Sequence, residues 1–122
     1  MDWQVLFTHM VERESDPALT ALFKAAADPT RRAILTLLAQ HGPLRVTDIA
    51  RHFDLSLNAV SKHIKTLEHS GLVLRRTEWR EHLIEVQIEP LREIDRWFDG
   101  LRSIWALRLD ALNDIITKET AK

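Results

Sequence analysis

Residues 47–71 restrict the fold more than any other part of the chain, because they predict two short amphipathic helices joined by a tight turn. Both helices carry apolar residues at helical spacing, first Ile49, Ala50 and Phe53 and then Val60, Ile64 and Leu67. Ser56 lies where the second helix needs an N-cap, and Gly71 suits the left-handed conformation that ends it. This arrangement predicts a helix-turn-helix.

Three further helices are expected ahead of this motif. An N-terminal helix within residues 1–16 is indicated by the spacing of Trp3, Leu6, Phe7 and Met10. Asp16-Pro17 and Asp28-Pro29 each combine an N-cap residue with a proline at the first helical position, so each predicts a helix start. The second of these two helices is expected to stop at Gly42-Pro43.

After the helix-turn-helix, the apolar residues alternate as they do in strands. Residues 72–77 predict one strand, and the next strand is predicted from the alternation of Ile84, Val86 and Ile88 with Glu85 and Gln87. Residues 78–81 are expected to form a polar hairpin tip. A hairpin in this place is a wing, and over residues 75–82 it carries three cations suited to a phosphate backbone: Arg75, Arg76 and Arg80.

The segment that begins at Pro90 keeps helical apolar spacing over roughly seven turns. A helix of about 28 residues would extend about 40 Å, which is longer than a domain this small covers, so part of its apolar stripe requires a second chain. We therefore expect a homodimer whose interface contains Leu91, Ile94, Trp97, Phe98, Leu101, Trp105, Leu112 and Ile116. The polar tail, residues 117–122, is the one stretch not assigned to the packed unit.

The expected fold is mainly α with a small β-hairpin, a winged helix-turn-helix extended by a long C-terminal dimerisation helix. A length of 122 residues suits one domain. We divide it into an N-terminal helix (1–16), the winged helix-turn-helix (17–88) and the dimerisation helix (89–119).

The predicted second helix of the motif, residues 57–70, presents a polar and cationic face opposite its apolar one. This face holds Asn58, Ser61, Lys62 and Lys65, with Ser56, Leu57 and His63 at its margins. Asn pairs with adenine, Lys with guanine, and an edge-lying leucine can touch a thymine methyl. Taken alone, the face is better explained as a solvated helix surface, and His63 fits a packing role as well as it fits a phosphate contact. The turn, the wing and the dimerising helix together favour recognition of DNA.

Composition excludes several other classes of protein. The net charge of −1, from 17 Lys plus Arg and 18 Asp plus Glu, requires any basic surface to be local. The absence of cysteine excludes disulfides and thiolate sites. No apolar run suggests a signal peptide or a membrane span, so a cytoplasmic protein without membrane contact is expected.

Over about residues 18–116 the chain resembles the ArsR-type winged-helix repressors, named for arsenic-resistance regulators. The most specific matches are ADPTRRAIL at 27–35, Leu55-Ser56 and VSKHIKTL at 60–67, and Gly71-Leu72-Val73 with the arginine-rich wing also fits. The resemblance implies a homodimer that binds an imperfect palindrome near a promoter, blocks transcription, and is released by an effector or partner.

No metal or cofactor is expected. Metal sensors of this family often carry two cysteines where this chain has Arg45 and Thr47, and others use histidines of the last helix, whereas no histidine follows His82. The six histidines form no HxxxH pair: His9, His41, His52, His63, His69 and His82. The final helix, which contains tryptophans and Arg108-Leu109-Asp110, resembles the non-metal branch.

Two questions stay open at this point. Arg31 and Arg32 lie near a helix N-terminus, which disfavours cations, so an acidic or a phosphate partner is expected. Trp97 and Trp105 either wall a small-molecule effector pocket between subunits or belong to the interface core, which is the commoner role of such aromatics.

Two rival functions are weighed against DNA binding. A winged helix that binds proteins would keep the same fold. An enzyme is disfavoured because no Ser/His/Asp order, phosphate-binding glycine loop or paired catalytic carboxylates are found, and Glu78, Glu81 and Glu85 are best explained as a solvated wing.

Overall fold

The computed structural model describes residues 2–14 and 16–120, which form six helices and three strands. The helices are α1 (Trp3–Glu14), α2 (Pro17–Ala27), α3 (Pro29–His41), α4 (Val46–Phe53), α5 (Leu57–Ser70) and α6 (Glu89–Thr120). The strands are β1 (Leu44–Arg45), β2 (Val73–Glu78) and β3 (Glu81–Val86), and they form one antiparallel sheet in the order β1-β3-β2. The predicted winged helix-turn-helix with a long C-terminal helix is confirmed.

Side-chain caps fix the helix starts that the sequence predicted. Asp16 accepts a hydrogen bond from the Ala18 amide at 2.9 Å, and Asp28 accepts one from the Arg31 amide at 2.9 Å. Ser56 caps α5 by accepting from the Ala59 amide at 3.1 Å. Each cap satisfies a backbone N–H that has no partner within its own helix.

The turn between α4 and α5 is short because one residue reverses the chain. Asp54 has a φ of 53°, in the left-handed region that Asp tolerates better than most residues. The Leu55 amide donates to the Ala50 carbonyl at 3.0 Å, which closes the end of α4. Ala50 is buried, and its small side chain lets α4 and α5 cross closely.

The core lies where α2 to α5 meet the sheet. Its largest fully buried side chains are Ile34, Leu38, Ile49, Val60, Ile64, Leu67, Leu72 and Ile84. Three of them come from α5, so the inner face of this helix is held against the protein body. The outer face of α5 is thereby presented to solvent in a fixed orientation.

The strands differ from the prediction at their ends. β2 starts one residue later and continues to Glu78, which pairs with Glu81, so the connecting turn is only Trp79-Arg80. β3 ends at Val86, and the predicted third inward residue, Ile88, is 56 % exposed outside the strand. The chain leaves the sheet there because the Leu91 amide bonds to the Ile88 carbonyl at 3.0 Å as α6 begins.

α6 has 32 residues and is about 48 Å long. It starts one residue before Pro90 and continues through most of the predicted polar tail to Thr120, while residues 121 and 122 lie outside the described part. α1 packs against α6 where Met10 covers Gly100, and a Cβ at Gly100 would overlap the Met10 sulfur. Gly100 is therefore what allows the two helices to approach closely.

Candidate nucleic-acid interface

The outer face of α5 combines exposed polar side chains with a rigid backing. Asn58, Lys62 and Lys65 are exposed, and Ser61 is half-buried beside them. The opposite face of the same helix is fully buried. The structure thus brings the predicted face residues onto one surface, with Ser56 at the helix N-cap and Leu57 half-exposed next to it.

Lys62 and Lys65 are unneutralised cations. Among the side chains that the structure describes, those of residues 2–12 and 16–119, no Asp or Glu lies in ion-pair contact with either of them. An ammonium group without a carboxylate partner loses no ion pair when it binds a phosphate or a guanine. Although the net charge of the chain is −1, α5 therefore carries a local basic surface.

His63 points toward the start of α3 instead of the outer face. Its Nδ1 lies 3.9 Å from Oδ2 of Asp28, the carboxylate that caps α3. The hydrogen bond from the Arg31 amide lowers the pKa of the Asp28 carboxyl, and the nearby charges of Arg31 and His63 lower it further. Asp28 and His63 thus link α3 to α5.

The wing arginines are held in different ways. Arg75 donates to Glu68 of α5 at 3.0 Å, and Arg76 lies 3.5 Å from Glu78 and 3.6 Å from Glu85. The Arg80 guanidinium instead lies 5.1 Å from the centre of the Trp79 ring. Two of the three predicted phosphate-binding cations are therefore engaged within the protein, in exposed pairs that are individually weak.

Arg45 is a wing contact that the sequence analysis missed. Its Nε donates to Asp48 at 3.0 Å, and its guanidinium lies 3.5 Å from Glu81 of the wing. The Arg45 hydrogen bond lowers the pKa of the Asp48 carboxyl, and the same bond raises the pKa of Arg45. The Arg45–Asp48 spacing of three residues was the available signal.

Arg31 and Arg32 both donate hydrogen bonds to the C-terminal end of α2. Arg31 donates to the Ala25 carbonyl at 2.8 Å and the Lys24 carbonyl at 2.9 Å. Arg32 donates to the carbonyls of Ala26 and Ala27, both at 2.8 Å. Both guanidinium groups thus bind the C-terminal carbonyls of α2, where the helix dipole favours cations, and the charge of Arg31 also lowers the pKa of the nearby Asp28 carboxyl. A phosphate partner for either arginine stays a prediction.

The residues expected at a dimer interface fall into two groups. Leu91 and Ile94 pack against the core of the protomer, and Trp97 contacts Phe23 edge-on at 5.4 Å. Phe98, Leu101, Trp105, Leu112 and Ile116 are exposed along one stripe of α6, together with Leu109 and Ile115. An exposed apolar stripe of this length marks an interaction surface.

The two tryptophans considered for an effector pocket do not share a cavity in the protomer. Trp97 lines a cavity of about 300 Å³ with Leu19, Thr20 and Phe23. Its indole N–H is buried and has no hydrogen-bond partner in the described residues. Trp105 is 60 % exposed on the stripe of α6.

Within residues 2–14 and 16–120, no group of three or more His, Cys, Asp or Glu side chains is positioned to hold a metal ion. No helix in that part of the chain is both long and apolar enough to cross a lipid bilayer.

Comparison with known proteins finds matches to DNA-binding regulators. A family model described as a helix-turn-helix domain matches residues 26–76. The HTH-type transcriptional regulator Rv2034 of Mycobacterium tuberculosis is 35 % identical over 96 residues, which cover 75 % of this chain and 89 % of the relative.

Solved structures give the same result. An ArsR-like transcriptional regulator from Rhodococcus sp. RHA1 superposes with a TM-score of 0.73 at 28 % identity, covering 80 % of this chain and 92 % of the other. The homodimeric winged helix-turn-helix DNA-binding domain of a possible ArsR-family regulator from Mycobacterium bovis gives 0.52 at 26 % identity, covering 91 % and 86 %.

Proposed function

The chain belongs to the ArsR-type winged helix-turn-helix transcriptional regulators, which are DNA-binding proteins and not enzymes, and from this premise we propose a homodimeric repressor of a palindromic operator. The observation that carries the proposal is the unneutralised face of α5, because Asn58, Lys62 and Lys65 project from a helix that the core holds rigid. Such a face fits the major groove.

The proposed DNA contacts come from two elements. α5 reads base edges and the wing, residues 75–82, follows the phosphate backbone. The contact residues are Ser56, Leu57, Asn58, Ser61, Lys62 and Lys65 of the first, and Arg75, Arg76 and Arg80 of the second. His63, expected among them from the sequence, faces Asp28 instead and is left out of the contact surface. Arg75 and Arg76 exchange their glutamate partners for phosphates, since exposed ion pairs are weak.

The proposed dimer forms through the apolar stripe of α6. Its exposed residues from Phe98 to Ile116 span about 28 Å. The Mycobacterium bovis neighbour is described as homodimeric, which supports the same assembly here. In a two-fold dimer the stripe sets the separation of the two α5 helices, which must be near 34 Å to enter successive major grooves on one side of the duplex.

Regulation is proposed to be independent of metal ions. Arg45 and Thr47 occupy the positions that match the cysteines of metal sensors, and Arg45 is paired with Asp48. The effector is unidentified and is proposed to be a small molecule or a partner. The proposal places the protein in the cytoplasm, with the DNA that it regulates.

Metal dependence has a direct test. We expect operator affinity to change by less than about twofold when the protein is treated with EDTA or given zinc, because no thiolate ligand exists. Fluorescence anisotropy with a labelled operator duplex measures this. A tenfold or larger change in either direction would contradict assignment to the non-metal branch.

The proposed function is tested by footprinting the protein on the DNA upstream of its own gene and then measuring Lys65→Ala on the protected duplex. If Lys65 reads a base, the variant loses about 1–3 kcal/mol of binding free energy on that duplex alone. If it contacts a phosphate, the slope of log affinity against log salt falls by about one.

Lys118→Ala is the matched control, since it removes the same charge from an exposed position on α6. It is expected to bind DNA like the wild type. Wild-type binding no tighter to the upstream region than to random duplex at matched salt would refute the proposal and favour a winged helix that binds proteins.

A further inference from the structure

A cavity of about 430 Å³ lies between α1 and α6. The two helices touch where Met10 covers Gly100, and the cavity lies farther along α6 from that contact. Its walls are formed by six residues, of which five are apolar and one is an arginine: Trp3, Phe7, Ile104, Leu107, Arg108 and Ala111. The part of α6 that lines it is about 10 Å long, which is about the length of an eight-carbon chain.

The wall that α1 contributes is aromatic. Trp3 and Phe7 are one helical turn apart, and their rings meet edge-on with centroids 6.3 Å apart. The two side chains remain 52 % and 47 % exposed, although Met10 of the same helix is buried. An apolar molecule in the cavity would cover these rings and remove their surface from water, which is the usual source of affinity in a small-molecule site.

Arg108 differs from the other arginines of α6. Each of the other three has an acidic partner three residues earlier, in the pairs Glu89–Arg92, Glu93–Arg96 and Asp99–Arg102. The equivalent position before Arg108 is Trp105, and its remaining helical neighbours are also apolar: Ile104, Ala111 and Leu112. Among the side chains of residues 2–12 and 16–119, no Asp or Glu is in ion-pair contact with Arg108. The apolar cavity therefore has a cation in its wall that the protomer does not neutralise.

The chemistry of these walls defines the class of ligand. A guanidinium group binds a carboxylate through two parallel hydrogen bonds, and the rest of the cavity accepts only an apolar body. Resting on the proposed function, which leaves the effector unidentified, we propose that this cavity is the effector site and that it binds an organic anion with an apolar body of about eight carbons. The carboxylate pairs with Arg108, and the apolar body lies against Trp3 and Phe7.

The position of Arg108 connects this site to the proposed dimer interface. Trp105 and Leu112, on either side of Arg108 along the helix, are exposed members of the apolar stripe of α6. An anion held by Arg108 therefore lies at the edge of the surface through which two protomers pair. A ligand shifts an equilibrium between two arrangements only if it binds one of them better. A bound anion at this edge favours one packing of the two α6 helices and thereby lowers operator affinity.

Calorimetric titration of the full chain with octanoate and 1-octanol tests the site without DNA. We expect octanoate to bind about tenfold more tightly than 1-octanol, because only the carboxylate pairs with Arg108. Arg108→Gln should bind both compounds equally, with octanoate bound about tenfold more weakly than by the wild type. Arg102→Gln is the matched control, since it removes an arginine of the same helix outside the cavity. It should bind octanoate like the wild type.

Ala111→Trp tests the cavity without changing a charge. The larger side chain fills the space between α1 and α6, so both compounds should lose most of their affinity, while circular dichroism should show the helix content of the wild type. Equal affinity of the wild type for octanoate and 1-octanol would overturn the proposal. Octanoate binding to Ala111→Trp with wild-type affinity would overturn it too, because the ligand would then lie elsewhere.

The effector role is tested on the footprinted duplex. Saturating octanoate is expected to weaken operator binding by the wild type about tenfold, and the operator affinity of Arg108→Gln should not respond at the same concentration. Octanoate that binds in the cavity but leaves operator affinity unchanged would refute the effector role. Failure of the proposed function is a different result, because the wild type would then show no preference for the operator even without octanoate.

Discussion

A Trp105→Glu variant is expected to be a monomer at micromolar concentration and to lose most of its operator affinity. Trp105 is 60 % exposed in the protomer, at the middle of the apolar stripe of α6, so the protomer itself tolerates the change. In a two-fold dimer the substitution occurs twice, and removing a central aromatic costs about 2 kcal/mol at each site. The dissociation constant of the dimer should therefore rise by about a thousandfold.

Sedimentation equilibrium measures the dissociation constant of the dimer, and fluorescence anisotropy measures the affinity for the operator. Ser103→Glu is the control, because it adds the same charge to an exposed position of α6 away from the stripe. It is expected to stay dimeric. If Trp105→Glu remains a dimer with normal operator affinity, the stripe is not the interface through which this protein pairs.

An Arg31→Ala variant is expected to lose about 3 kcal/mol of unfolding free energy, since it removes two charge-assisted hydrogen bonds to the end of α2. The carbonyls of Lys24 and Ala25 would lose these donors, and α2 would be held less firmly against α3. Urea denaturation followed by circular dichroism measures the loss. Below the melting range, operator affinity should be close to wild type.

Arg31→Lys separates charge from geometry in this interaction. Lysine keeps the positive charge at the C-terminus of α2 but lacks the planar group that reaches both carbonyls, so we expect it to recover only part of the stability. An Arg31→Ala protein with wild-type stability but weak operator binding would show that Arg31 contacts DNA directly.

The helices could be predicted because their signals are local. The caps Asp16, Asp28 and Ser56 are each within three residues of the amide they bind, and these contacts are present in the structure. The buried face of α5 follows from the same short-range periodicity. The helix-turn-helix and its outward face were therefore predictable from the sequence.

The partners of the arginines could not be predicted in the same way. Arg76 pairs with Glu85 only because the register of β2 and β3 brings them together, and Arg45 reaches Glu81 across 36 residues of chain. The Arg31 bonds depend on the packing angle between α2 and α3. Helical or strand spacing contains no information about these contacts.

Short strands and strand ends were also beyond prediction from the sequence. β1 has two residues, too few for alternation to be detected, and it forms only because β3 offers a free edge at Leu83 and Ile84. Ile88 continues the alternating pattern but lies just before α6, where its carbonyl accepts a hydrogen bond from the Leu91 amide. At strand ends, the competition between sheet and helix is decided by tertiary contacts.

The pairing of β3 with both β1 and β2 has a mechanical consequence. β1 directly precedes α4 and β2 follows α5. The segments before and after the helix-turn-helix are therefore both hydrogen-bonded to the same strand, β3. Tilting α5 relative to the hairpin would break these backbone hydrogen bonds and disturb the core. In the proposed homodimer, a signal that releases the DNA would therefore act with least cost by changing the separation of the two winged helix-turn-helix units, each of which would move as one body.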